Sequence, residues 1–260
     1  MNQIKLKISS ALLMGLLYVM AFPSIADTFK AKLEWSGRVS LSPLVKGYIN
    51  EINVYPGDRV KKDDVLLRLA PEAYQAKVDH FLAVLKSNKS IMEEAKRELN
   101  RSEELYERTL LSDHDLQVDK NAFVSANAHY QSTIAQLKNA RIDLENSINR
   151  APFDAVVISR NAEIGQSVFP DFQPQAFLVI AEDNIMLAQA WLTEEQANKI
   201  TQDQNVVIKV KGNTHKGKIS FVGLEPKSSK EQLYKLVVRF GTNGTLYRAG
   251  IAAEIVTGDL

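Results

Sequence analysis

The spacing of apolar and polar positions changes twice along the chain. Residues 38–70 are rich in Val, Ile, Leu and Tyr and are interrupted by Pro and Gly, which indicates short strands and tight turns. Residues 72–148 contain no Gly and no Pro and are rich in Ala, Leu, Glu, Lys, Asn and Gln, which predicts helix. From residue 152 onward Gly, Pro and β-branched residues return, and we expect strands to the C-terminus.

Two narrow apolar stripes run through the helical region, each with steps of four and three residues, as in a coiled coil. The pattern breaks near residues 109–115, where Ser112 followed by Asp115 resembles a capping box that starts a second helix. We therefore predict an antiparallel helical hairpin over residues 71–150; the alternative is one long helix that pairs with another chain. The stripes lie at positions 74, 78, 81, 85, 88, 92, 95, 99, 102 and 106, and at 116, 119, 123, 126, 130, 133, 137, 140, 144 and 147.

The segments that flank the helical region resemble each other. Residues 47, 57 and 60 (Gly, Gly, Val) correspond to residues 155, 165 and 168 (Ala, Gly, Val) at a constant offset of 108. Each segment, 39–70 and 151–181, reads as half of a small β-sandwich that cannot bury one face alone. The two halves must pack together, and this closes the base of the hairpin.

The remaining C-terminal segment, 182–260, reads as a separate β unit with five candidate strands. Thr193 followed by Gln196 has the spacing of a capping box and predicts a short helix through Ile200. A small closed barrel with one helix fits this pattern, and an open sandwich is the alternative. Residues 27–38 are expected to form an N-terminal strand or linker.

The first 26 residues have the pattern of a secretory signal peptide. Lys5 and Lys7 precede an apolar run at 11–22, and small residues follow at 24 and 26. We expect cleavage after Ala26 and export of the remaining chain; the alternative is a retained membrane anchor.

Composition excludes several classes of protein. Without Cys there is no disulfide scaffold, no Cys-ligated zinc and no thiol nucleophile. The net charge of +1 provides no basic surplus for nucleic acid. We find no nucleophile elbow, phosphate loop, dinucleotide fingerprint or zinc-protease motif, and therefore expect neither an enzyme nor a cofactor or metal site. His114, between Asp113 and Asp115, is interpreted as an exposed turn residue rather than a metal ligand.

Several motifs resemble those of the periplasmic adaptor proteins, also called membrane fusion proteins (the HlyD-like group), of tripartite efflux pumps and type I secretion systems. The sequences VKGYI at 45–49 and PGDRVKK at 56–62 resemble the first half of the family's biotinyl-lipoyl-like domain. RAPFDAVV at 150–157 resembles the start of the second half, and RAG at 248–250 a turn near the end of the family's barrel. The resemblance implies an α+β fold: a split lipoyl-like β-sandwich interrupted by a helical hairpin and followed by a β-barrel.

The chain departs from the family pattern at three places. Asp63 and Ala155 stand where the family usually has Gly, so a tight turn needs either a negative φ or an Asp that tolerates the left-handed region. Many members continue past the barrel into a membrane-proximal domain, whereas this sequence ends at Leu260.

Arg101, Leu105 and Ser112 have the spacing R-x3-L-x6-S and fall at the expected tip of the hairpin. This resembles the family motif that meets a TolC-type outer-membrane channel. Arg101 and Leu105 share one helix face, Arg offers a planar fork of donors, and Ser112 caps the second helix. The alternative is that Arg101 is a solvated charge, Leu105 packs in the seam between the helices, and Ser112 serves only as a helix cap.

The resemblance implies a periplasmic adaptor of a Gram-negative bacterium that links an inner-membrane transporter, of the RND or ABC type, to a TolC-type channel. Several copies would form a ring, typically a hexamer. The alternative is a free-standing periplasmic scaffold or chaperone whose coiled coil binds another exported protein. Covalent lipoylation or biotinylation is not expected, because the helical insertion occupies the carrier hairpin and Lys120 lies on a predicted helix.

Overall fold

The structure is a computed structural model and describes residues 27–170, 176–228 and 231–258. The predicted signal peptide, 1–26, lies outside these residues. The described residues divide into two compact units, one within Trp35–Asp183 and the other formed by residues 27–34 together with the described residues from Asn184 onward. The elements in chain order are β1 (Asp27–Trp35), β2 (Val39–Leu41), β3 (Gly47–Ile52), β4 (Arg59–Val60), β5 (Val65–Leu69), α1 (Glu72–Glu107), α2 (Asp113–Asn146), β6 (Ile148–Arg150), β7 (Ala155–Arg160), β8 (Ser167–Val168), β9 (Leu178–Glu182), β10 (Ile185–Thr193), α3 (Glu194–Asn198), β11 (Asn205–Val210), β12 (Asn213–Pro226), β13 (Leu233–Gly241) and β14 (Ala252–Thr257).

The two repeated halves exchange strands within one β-sandwich. Its sheets have the orders β2-β9-β7-β4 and β6-β5-β3-β8, so each half contributes strands to both sheets. Gly47 of the first half pairs with Val168 of the second. Their counterparts at the offset of 108, Ala155 and Val60, also pair with each other. The prediction that the halves pack together is confirmed, because neither half completes a sheet without the other.

The turns of the sandwich follow the same offset. The amide of Gly57 donates to the Val157 carbonyl at 2.8 Å, and the amide of Gly165 donates to the Ile49 carbonyl at 2.8 Å. Both glycines adopt positive φ, 100° and 84°, which a residue with a Cβ adopts only at a cost. The core between the sheets is apolar and drawn from both halves, with Ile49, Leu66, Leu67, Leu69, Val157, Leu178 and Ile180 buried.

The two positions that depart from the family's glycines behave differently. Asp63 adopts φ 70°, the left-handed region that Asp tolerates better than most residues. Its amide donates to the Ala151 carbonyl at 2.8 Å, so the turn is kept. Ala155 instead begins β7 and is fully buried, and its place in a strand requires no glycine.

The helical region forms the predicted antiparallel hairpin. Residues early in α1 contact residues late in α2, and residues further along α1 contact residues nearer the start of α2. Lys77 pairs with Asp143 at 2.7 Å, and Asn88 Nδ2 donates to Thr133 Oγ1 at 2.8 Å. Every buried residue of the two helices occupies a predicted stripe position: Val78, Ser102, Leu116, Ala126, Thr133, Leu137 and Ala140.

Polar side chains in the seam are paired with one another. Asn88 bonds to Thr133, and the hydroxyl of Ser102 donates to the carboxylate of Asp119. A polar pair in a partly buried seam is satisfied within the protein only in one alignment of the helices, so these bonds favour one register of the hairpin. Within the described ranges, no helix is long and apolar enough to cross a membrane.

The hairpin is joined to the sandwich through adjacent strands. β5 and β6 are antiparallel neighbours, with Arg68 opposite Ile148, and the amide of Leu69 donates to the Ser147 carbonyl at 2.8 Å. The last residues of the range predicted as hairpin, 71–150, thus belong to a sheet.

The second unit is a closed six-stranded barrel with the strand order β1-β10-β13-β12-β11-β14, in which β1 also pairs with β14. The prediction of a small barrel with one short helix is confirmed, and α3 starts at Thr193 with a complete capping box. The sequence did not assign residues 27–38 to the barrel, yet β1 closes it: Asp27 lies opposite Thr257 and Lys32 opposite Ala252.

Candidate docking surface at the hairpin tip

The first helix ends in a left-handed turn. The amide of Leu110 donates to the Leu105 carbonyl at 2.9 Å, and the amide of Thr109 donates to the Tyr106 carbonyl at 2.8 Å. This is the pair of bonds of a Schellman C-cap, which needs a residue with positive φ just past the helix. Thr109 supplies it with φ 61°, although a β-branched residue is a genuine outlier there.

The second helix begins at Ser112. Its hydroxyl oxygen accepts from the amide of Asp115 at 3.1 Å, and the same hydroxyl lies 2.7 Å from the Asp115 carboxylate, to which it donates. Asp113 and Asp115 occupy the first turn, where negative charge complements the helix dipole. Ser112 is therefore the N-cap that fixes the direction of α2.

The three residues predicted for docking lie in the last two turns of α1 and at the start of α2. Arg101 Nη1 donates to both carboxylate oxygens of Glu98, at 3.1 and 3.2 Å, and its side chain is 67% exposed. Leu105 is half-buried, and Ser112 is exposed at the cap. Their role in docking stays a prediction.

Two apolar side chains at the tip are exposed: Leu110 was not singled out from the sequence, and Tyr106 was assigned to the apolar stripe. Leu110 is 71% exposed and Tyr106 is 42% exposed. The sequence held one signal for an unusual turn at the tip. Residues 72–148 contain no Gly, so a left-handed C-cap in the hairpin has to use another residue type.

The tip is acidic. Residues 103–115 contain five carboxylates and one arginine, Arg108. Among the described residues, no ion pair involves any of the five carboxylates, which are Glu103, Glu104, Glu107, Asp113 and Asp115. In the same part of the chain, no three His, Asp or Glu side chains cluster closely enough to hold a metal ion.

Comparison with known proteins gives distant relatives and a shared fold. No protein-family model matches the chain. The macrolide export protein MacA of Escherichia coli O157:H7 is 22% identical over 220 residues, covering 78% of this chain and 59% of MacA, and MacA of Shigella flexneri gives the same values. The chain thus spans about six tenths of the length of these curated relatives.

Solved structures extend the likeness to the fold. A MacA–MexA chimera containing the α-hairpin domain of Pseudomonas aeruginosa MexA superposes with a TM-score of 0.70 at 22% identity, over 90% of this chain and 79% of the chimera. The membrane fusion protein Spr0693 of Streptococcus pneumoniae R6 gives 0.69 at 17% identity, over 90% and 100% of the two chains. The chain therefore has the membrane fusion protein fold, and its resemblance to the periplasmic adaptor, or membrane fusion, proteins is confirmed.

Proposed function

We propose that the protein is a periplasmic adaptor subunit that links an inner-membrane transporter of the RND or ABC type to a TolC-type outer-membrane channel, for efflux or secretion. The observation that carries this proposal is the position of Arg101, Leu105 and Ser112. They lie at the tip of a long antiparallel helical hairpin, and the base of that hairpin joins the β-sandwich. The macrolide export relatives support efflux as the general activity.

Assembly into a ring, typically a hexamer, is part of the proposal. Residues 121–137 of α2 contain no Asp, Glu, Lys or Arg, whereas residues 86–104 of α1 contain ten such residues. Val124 and Ile134 in the uncharged stretch are exposed. An uncharged helix face of this kind loses little hydration when a neighbouring copy covers it, which supports lateral packing of hairpins.

The location follows from the same function. An adaptor of this type acts in the periplasm of a Gram-negative bacterium, and the signal-like pattern of residues 1–26 supports export by a cleavable signal peptide. Association with the inner membrane would then come from the transporter.

The test is co-purification from native membranes with Arg101→Asp as the variant. Arg101 forms an exposed ion pair worth about 0–1 kcal/mol, so the variant should fold normally. We expect recovery of the transporter to be unchanged and recovery of the TolC-type channel, and export, to be lost.

The matched control is Arg97→Asp, because Arg97 pairs with Glu94 three residues earlier, just as Arg101 pairs with Glu98. It should retain channel binding. Normal export by Arg101→Asp would remove the tip assignment, and the absence of any transporter or channel with the wild-type chain would overturn the adaptor function.

A further inference from the structure

The most exposed leucine at the tip is not the leucine of the motif. Leu105 is half-buried, whereas Leu110 is 71% exposed and Tyr106, in the last turn of α1, is 42% exposed. The Leu110 amide is bonded to the Leu105 carbonyl at 2.9 Å, so the two leucines are neighbours across the C-cap. The more exposed of the two has the larger apolar surface left for a partner to cover.

The backbone holds Leu110 in a defined position. Thr109, the residue before it, adopts the left-handed conformation that allows both bonds of the C-cap, and Ser112, two residues after Leu110, caps α2. Only Leu110 and Leu111 lie between these anchors, and Leu111 is half-buried. Leu110 is thus held on a short, doubly anchored turn rather than on a free loop, which limits the entropy lost when a partner binds it.

The charge around Leu110 indicates the chemistry of the partner. Five carboxylates without ion pairs in the described structure surround it in sequence, against the single Arg108. A surface that covers Leu110 also approaches these carboxylates, and a basic rim would complement them. Accordingly we infer that Leu110, flanked by Tyr106, is the apolar anchor of the tip, and that it inserts into an apolar socket rimmed by basic side chains on the periplasmic end of the channel. This inference rests on the proposed function, since the channel is its partner.

The experiment measures the affinity of the full mature chain for the TolC-type channel that co-purifies with it, reconstituted in nanodiscs. Leu110→Ser should weaken binding roughly 10- to 100-fold, as loss of a central anchor does. Leu110→Met keeps apolar volume and should stay within about fivefold of the wild type.

Ile91→Ser is the matched control, because Ile91 is apolar, 56% exposed, outside the uncharged stretch of α2, and about 24 Å of helix from the end of α1. It should bind the channel as the wild type does. Far-UV circular dichroism should show that all three variants retain the hairpin.

Charge is tested separately by salt titration. Affinity should fall as ionic strength rises, and the double variant Glu103→Gln/Glu107→Gln should flatten that dependence while Leu110→Ser leaves its slope unchanged. Wild-type affinity for Leu110→Ser together with lost binding for Arg101→Asp would overturn the anchor and leave the adaptor function standing. If the wild-type chain binds no TolC-type channel, both fall together.

Discussion

Thr109 offers a direct test of the tip geometry. It occupies the left-handed region with φ 61°, and its amide forms one of the two backbone bonds that close α1. The left-handed conformation costs an L-residue roughly 1–2 kcal/mol, and glycine does not pay this cost. Because the two cap bonds are backbone bonds, Thr109→Gly retains both of them.

The gain is partly offset in the unfolded chain, where glycine is more flexible by roughly 0.5–1 kcal/mol. We therefore expect Thr109→Gly to raise the free energy of unfolding of the hairpin by about 0.5–1 kcal/mol. Thr109→Ala removes the β-branch but keeps the Cβ and should gain less than Thr109→Gly.

Urea unfolding followed by far-UV circular dichroism is the assay. The helices α1 and α2 have 36 and 34 residues and α3 only 5, so the helical signal reports the hairpin. The midpoint should shift upward with an unchanged slope. An unchanged or lower midpoint for Thr109→Gly would mean that the turn does not hold residue 109 in the left-handed region.

Three further predictions concern the root of the hairpin, the sandwich and the barrel. Replacing residues 72–146 with a two-residue turn should leave a folded sandwich, because β5 and β6 are already antiparallel neighbours; circular dichroism should show sheet without the long helices, and a disordered chain would contradict the strand exchange. The pKa of Asp154 is lowered, mainly by the hydrogen bond from the Lys61 side chain and next by the one from the Lys62 amide. The ionised Asp154 therefore stabilises the fold above the ordinary Asp pKa, and this stabilisation is lost as pH falls through the lower pKa of the folded state. Asp154→Asn should thus destabilise the sandwich at pH 7 and flatten the loss of stability below about pH 4 in thermal melts; an unchanged acid profile would argue against the Lys61 contact. Tyr247→Phe removes the hydroxyl that bonds His215 Nε2 at 2.9 Å and Asn213 Nδ2 at 3.1 Å, and should cost the barrel about 1–3 kcal/mol in urea unfolding followed by tryptophan fluorescence, whereas Tyr48→Phe, at an exposed position, should cost little.

The elements that the sequence predicted well are those with a local or periodic signal. The heptad stripes located the seam of the hairpin, and the offset of 108 located the strands that the two halves exchange. Both signals arise because a buried face imposes a regular spacing on the residues that form it.

The elements that sequence reasoning missed depend on partners far along the chain. β1 has an alternating pattern typical of any strand, and nothing in it specifies pairing with β14 some 220 residues away. Asn88, Ser102, Asp119 and Thr133 read as interruptions of an apolar stripe, because only the folded hairpin brings each of them to its polar partner. The exposure of Leu110 follows from the turn conformation, which the sequence indicated only by the missing glycine.

The proposed docking of the hairpin tip requires a rigid base. The 36 residues of α1 extend roughly 54 Å, so a tilt of one degree at the root moves the tip by about 1 Å. Two contacts between the hairpin and the sandwich oppose such a tilt: the hydrogen bond from the Leu69 amide to the Ser147 carbonyl, and the hydroxyl of Tyr74, which donates to the Lys46 carbonyl. Lys46 directly precedes β3, whose Gly47 pairs with Val168 of the other half, so the Tyr74 contact is anchored at the exchanged strands. If the tip docks as proposed, the strand exchange and the polar pairs of the seam both help to keep it in one position.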